Sequence, residues 1–160
     1  MSIRAAIAAL ALAAASALPA VARAEDPSPC FDPAAMADRV AGSDLPWEQR
    51  RADLWRVDMP SETRDVVRVV LSCGRNVVPM FAVLANASDL EGSADLYLYL
   101  LRAASHFDHI KIGVDPDGDY LARIDLRPST FISGNIDDAA KQIRDVVDAL
   151  TPTLLKHRAQ

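Results

Sequence analysis

The stretch His109-Ile110-Lys111-Ile112-Gly113-Val114-Asp115-Pro116-Asp117-Gly118-Asp119-Tyr120-Leu121-Ala122-Arg123-Ile124-Asp125-Leu126-Arg127 decides the fold class. Ile110, Ile112 and Val114 alternate with His109, Lys111 and Gly113. Tyr120, Ala122, Ile124 and Leu126 alternate with Leu121, Arg123, Asp125 and Arg127. A period of two marks half-buried strands. Pro116-Asp117-Gly118 between them is turn chemistry, with Gly118 free to go left-handed in a short hairpin loop. The register pairs Ile112 with Ala122 and Ile110 with Ile124. It sets Lys111 beside Arg123, and His109 beside Asp125, on the wetter face.

Upstream the period changes. Leu96, Leu100, Ala103, Ala104 and Phe107 follow helical spacing within Ser88–Phe107. Tyr97, Leu98, Tyr99 and Leu101 leave few polar positions, so this helix is expected to be largely buried. Before it lie three apolar runs: Leu54–Met59, Val66–Cys73 and Val77–Leu84. The valine content of the second suits a pleated surface better than a helix. Gly74-Arg75-Asn76 reads as the turn between the last two. Pro79 belongs at an edge or a bulge, where its missing N–H is harmless. Downstream, Ala139, Ile143, Val146, Val147 and Leu150 form the apolar stripe of a closing helix over 135–150. Asn135 is its expected cap, and Pro152 ends or kinks it. At the other end, Asp32-Pro33 starts a short helix carrying Met36 and Val40 and ending at Gly42. A second short helix is expected from Pro46 to about Ala52.

The element order is therefore α-βββ-α-ββ-α. It describes an α+β domain: an antiparallel or mixed sheet of about five strands, packed on one face by two main helices. At this level the chain resembles the YbjN-type family. The resemblance lies in Asp95-Leu96-Tyr97-Leu98-Tyr99-Leu100-Leu101, in His109–Asp115, in Asp117–Leu126 and in the closing helix, over roughly residues 54–150. That family is similar in fold to type III secretion chaperones. The resemblance implies a binding or regulatory module and supplies no catalytic residue.

Met1–Ala24 reads as a secretory leader. Arg4 opens it, Ile7–Leu18 is almost wholly Ala, Leu and Ile, and Ala22-Arg23-Ala24 is a small-x-small box placing cleavage between Ala24 and Glu25. The apolar run is too short to span a bilayer, which takes roughly 20 residues. The expected organisation is leader 1–24, an extension with short helices 25–53, and one α+β domain 54–160. The expected location is the bacterial periplasm or medium, with no stable membrane anchor. The chain carries a net charge of −5. Losing Arg4 and Arg23 with the leader makes it about −7. Such a balance argues against nucleic acid, which needs a basic stripe.

Two cysteines, Cys30 and Cys73, suit a single disulfide in an oxidising compartment; two separate thiols, one buried, are the alternative. The bridge would close a loop of about 42 residues, worth roughly 3–4 kcal/mol on a loop-entropy basis. No CxxC pair or Cys/His cluster suggests redox or zinc chemistry.

Other chemistry is sparse. Asp115-Pro116-Asp117-Gly118-Asp119 has the carboxylates of a calcium loop, but Gly118 is fourth and the twelfth residue is Leu126, so a turn with at most weak adventitious calcium binding is expected. His106 and His109 have no third partner for zinc. No Gly-x-Ser-x-Gly elbow or phosphate loop occurs. No cofactor or metal is expected. The leading reading is a non-enzymatic module that recognises a protein, a peptide or a second copy of itself through its sheet face or edge. Lys111, Arg123, Asp125 and His109 are its candidate binding residues, with Trp47 and Trp55 beside Arg50 and Arg51 as a possible aromatic-cationic patch. The same tryptophans could instead be core anchors. The alternatives are a small periplasmic hydrolase using His109 and Asp125, and a structural envelope protein.

Overall fold

The computed structural model describes residues 32–130 and 133–159. The leader, its cleavage site at Ala24 and Glu25, and Cys30 lie outside the described residues. Helix α1 (Pro33–Ala41) leads into strands β1 (Glu48–Arg51), β2 (Leu54–Pro60), β3 (Val66–Ser72) and β4 (Val78–Ala85). Helix α2 (Ala94–Ala104), strands β5 (Lys111–Val114) and β6 (Tyr120–Leu126), and helix α3 (Ser133–Leu154) follow. The six strands form one open antiparallel sheet in the order β1-β2-β3-β4-β6-β5. This is the expected α+β class.

The hairpin has the register read from its alternation: Lys111 faces Arg123 and Ile112 faces Ala122. Gly118 takes φ 90° and donates its N–H to the Asp115 carbonyl at 3.0 Å. At Gly74 the β3–β4 turn is so close that an added Cβ would sit 2.5 Å from the Val77 carbonyl oxygen. Since β6 lies between β4 and β5, those two run parallel, and the chain must cross over between them. Helix α2 is that crossover.

Alternate residues of the strands share one buried face: Val57 and Met59, Val69 and Leu71, Met80 and Leu84, Ala122 and Ile124. Helix α3 packs across β3, β4 and β6 on that face through Ile136, Ala140, Ile143 and Val147, all fully buried. Helix α1 packs on α3 and buries Met36 completely. Two carboxylates of α3 fasten loops. Asp137, 4% exposed, accepts from the Ser43 hydroxyl and from the Asp44 N–H at 2.8 Å. Three turns later, Asp148 accepts from the hydroxyls of Ser61 and Thr63 (2.7 Å for Thr63) and from the Glu62 and Thr63 N–H groups at 3.2 and 3.3 Å.

The structure corrects four expectations. The segment expected as a helix from Pro46 to Ala52 contains β1 instead. Glu48-Gln49-Arg50-Arg51 has no apolar stripe to bury as a helix, and all four residues are exposed. Paired to β2 they add a sixth strand whose charges suit a sheet edge. Helix α2 is not largely buried. Leu96 and Leu100 face the core, whereas Tyr97, Leu98 and Leu101 are exposed, Leu101 to 71%. Helix α3 begins at Ser133, so Asn135 lies inside it rather than capping it, and it runs past Pro152 to Leu154. The fourth concerns His109. It has φ 64°, and β5 begins only at Lys111, so His109 never comes into register beside Asp125.

Candidate functional site: the open face of the sheet

Among the described residues no helix packs against the other side of the sheet. There the registers line up one residue per strand across all six strands: Glu48, Arg56, Val70, Phe81, Arg123 and Lys111. The row is charged at both ends and apolar in the middle.

At the β1–β3 end, Glu48 Oε2 lies 2.6 Å from Arg50 Nη2 and accepts from Arg56 Nη2 at 3.3 Å. Asp58 Oδ1 receives Arg68 Nε at 3.1 Å and lies 3.4 Å from Arg56 Nε. The Arg68 hydrogen bond, helped by the charges of Arg68 and Arg56, holds the Asp58 carboxyl below its ordinary pKa. At the β5–β6 end, Asp125 accepts Lys111 Nζ at 2.7 Å and Arg123 Nε at 2.6 Å. Burial pushes Asp125 up, but the hydrogen bonds and charges of Lys111 and Arg123 outweigh it and hold the group low. Arg50, Arg56, Arg68, Arg123 and Lys111 outnumber Glu48, Asp58 and Asp125, so this face is positive although the chain is negative.

Between the two clusters lie Val66, Val70, Phe81 and Val83. Val66 is 39% and Val83 40% exposed, while Val70 and Phe81 are half-buried. Here the sheet is loosely closed. Strands β2 and β3 pair over seven positions, but β3 and β4 pair only at Val70–Phe81 and Leu71–Met80. Beside the strands beyond that point lies a groove of about 310 Å3, lined by Arg64, Val66, Arg68, Phe81 and Val83. Arg64 closes its end. Its Nη1 donates to the Val83 carbonyl at 3.3 Å, its Nη2 to the Leu84 carbonyl, and its Nε to Thr151 Oγ1 at 2.9 Å. Burial lowers the Arg64 pKa, against the charge of Asp148, which raises it. The turn clamped by Asp148 is what delivers Arg64 to this position, since Arg64 N–H also bonds Ser61 Oγ at 3.1 Å.

The structure therefore brings together Lys111, Arg123 and Asp125, and leaves His109 out. His109 is exposed, and its proposed partner Asp125 is held by two cations. The tryptophan patch is not formed either. Trp55 is 3% exposed in the core, and Trp47 is partly buried against it. Large rings beside a short helix find more area to bury than to display. The acidic turn at 115–119 spends its carboxylates on backbone: Asp115 Oδ1 accepts from the N–H groups of Asp117 and Asp119 at 2.9 Å, and Asp119 Oδ1 from that of Ala87 at 2.8 Å. Among the described residues no cluster of His, Cys, Asp and Glu could hold a metal ion. His106 Nδ1 lies 2.7 Å from the Arg102 carbonyl at the end of α2. Cys73 is buried at the end of β3, and its expected partner Cys30 lies outside the described residues.

Arg64, Phe81 and Val83 were not singled out from the sequence. A signal was present: β3 and β4 are apolar at successive positions, so both faces of these strands carry hydrophobic residues although only one face is covered.

No family model matches the sequence, and no curated protein matches it. Among solved structures, the fold is similar to a chain in the heterodimeric complex ExoU–SpcU from the type III secretion system of Pseudomonas aeruginosa. The TM-score is 0.51 at 17% identity, over 74% of this chain and 93% of that one. Likeness at this identity is a likeness of fold.

Proposed function

We propose that this chain is an exported, non-enzymatic binding module that recognises a protein or peptide partner through the open face of its sheet. The observation that carries the reading is that face: an apolar strip at Val66, Val70, Phe81 and Val83, flanked by ion-paired arginines and covered by none of the described elements. Exposed apolar strips rimmed by charge are the usual form of an interaction site. The fold likeness to a chain of a heterodimer lends support, since that fold assembles with a protein there. Among the described residues no helix is long and apolar enough to cross a membrane. The rival hydrolase rested on His109 beside Asp125, a pair that the register does not assemble.

The test is crosslinking and co-purification from the native envelope, with the unaltered protein and with Lys111→Glu/Arg123→Glu. A specific partner weakened by the double reversal is the expected result. No specific partner, with no effect of the reversal, would sink the reading. Export carries its own consequence for Cys30 and Cys73. Protein isolated from the periplasm should lack free thiols by non-reducing mass analysis, and reductant should expose residues 25–42 to protease. Identical digestion patterns with and without reductant would reject the bridge.

A further inference from the structure

The two charged clusters of the open face are built alike. In the first, Arg50, Arg56 and Arg68 share the carboxylates of Glu48 and Asp58. In the second, Lys111 and Arg123 share that of Asp125. Three cations on two carboxylates, and two on one, leave each cluster with one positive charge in excess. Between the clusters the registers set Val70 beside Phe81, and Val83 beside Leu121. Leu121 in turn faces Gly113 on β5, where nothing lies within 4 Å of the place a Cβ would take. The middle of the face is thus bare and apolar, and both of its flanks carry charge of the same sign.

Geometry selects the shape of the partner. Arg56, Val70, Phe81 and Arg123 stand in one row on β2, β3, β4 and β6. Neighbouring strands lie about 4.8 Å apart, so the backbones of the two arginines are about 14 Å apart, a span that takes a helix of about 10–12 Å diameter. Along this row each strand is hydrogen-bonded to the next, so the face presents side chains and no free main chain. An extended segment laid on it would find no main-chain partner for its own N–H and C=O groups, whereas a helix satisfies its own. We infer that the open face binds an amphipathic helix of a partner protein, with apolar side chains against Val70, Phe81, Val83 and Leu121 and an Asp or Glu on each flank. One flank meets Arg56 and Arg68, the other Arg123 and Lys111. The inference rests on the sheet-face reading above and adds to it the partner's shape and charge.

The experiment is to pan a phage-displayed library of random octadecapeptides against the purified protein, measure fluorescein-labelled winners by anisotropy, and record their circular dichroism free and bound. Winners should carry Leu, Ile, Val or Phe at helical spacing, with Asp or Glu on both sides of the stripe, and should gain helix on binding. Arg68→Gln/Arg123→Gln removes the excess charge of both clusters and should weaken winners about tenfold or more, as should Val83→Asp. Leu101→Asp, on the exposed side of α2, should change affinity less than about twofold. All four side chains reach solvent, so unchanged thermal midpoints would show that the variants fold. Winners whose apolar residues alternate with period two, winners with basic flanks, and winners indifferent to the arginine variant each overturn the inference, as does an empty selection. In those cases an envelope partner lost on Lys111→Glu/Arg123→Glu leaves recognition by the sheet face standing, and failure of both experiments overturns both. Winners lost on Leu101→Asp place the site on α2 and overturn both as well. Self-association by sedimentation that Val83→Asp abolishes would assign the face to a second copy of the chain and overturn the inference.

Discussion

Met80 and Phe81 are neighbours on β4, and they show how differently the two faces of one sheet are built. Met80 is fully buried beneath α3, paired across the strands with Leu71 and Ile124. Phe81 points the other way, half-buried between Val70 and Arg123, with no described helix above it. The covered face is uniformly apolar and closed by interdigitation with α3. The open face alternates apolar residues with ion pairs that stay wet. Stability belongs to the first face, and the second is the one left for the proposed recognition, because tight packing leaves no surface to offer, and exposed ion pairs contribute only about 0–1 kcal/mol each.

That contrast can be broken by mutation. Met80→Ala should cost the most, about 3 kcal/mol in urea unfolding, since it removes a fully buried side chain and leaves a cavity. A loss below about 1 kcal/mol would mean that α3 does not close on β4 as described. Asp137→Ala should follow at about 2 kcal/mol, because it strips a buried carboxylate from the Ser43 hydroxyl and the Asp44 N–H. Its effect should fall mainly on α1, read as faster hydrogen exchange at Met36 and Val40.

Asp148 sharpens the comparison through pH. Burial raises its pKa, but hydrogen bonds from Ser61, Thr63 and the Glu62 and Thr63 N–H groups outweigh it and lower the group to about 2. A carboxyl depressed on folding contributes stability that is whole above the unfolded value of about 3.9 and is lost as pH falls toward 2. Asp58 and Asp125 shift in the same direction. The protein should therefore lose stability between about pH 4 and pH 2. Asp148→Asn should flatten part of that acid limb and cost about 1 kcal/mol at neutral pH. An unchanged acid limb in the variant would contradict the clamp. The smallest effect belongs to the open face: Val83→Asp should change stability by no more than about 0.5 kcal/mol. A larger loss would show that the open face is part of the core after all.

Much of the architecture could be read from local pattern. Ile112 pairs with Ala122 because a period of two, once one face is buried, permits no slip by one residue. The stripe on α3 was legible for the same kind of reason, since one helical face carries almost all its apolar residues. Local pattern was weaker where tertiary contact decides. Glu48–Arg51 has neither period and becomes a strand because β2 offers it an edge. Tyr97, Leu98 and Leu101 look like core residues from composition, yet α2 has a neighbour on only one side. In the candidate site, Lys111, Arg123 and Asp125 were visible because they share a hairpin. Arg56 and Arg123 flank one apolar strip although they lie far apart in the sequence.

The sequence by itself determined the α+β class, the hairpin and its register, and which residues of β6 and α3 turn inward. Those follow from side-chain alternation and turn chemistry, which act over a few residues. The tertiary structure alone decided that β6 inserts between β4 and β5, that α3 fastens two distant loops through Asp137 and Asp148, and that the β3–β4 ladder stops at Val70–Phe81. These depend on which surfaces compete for contact once the chain is compact, and contacts between residues far apart leave no periodic trace in the sequence.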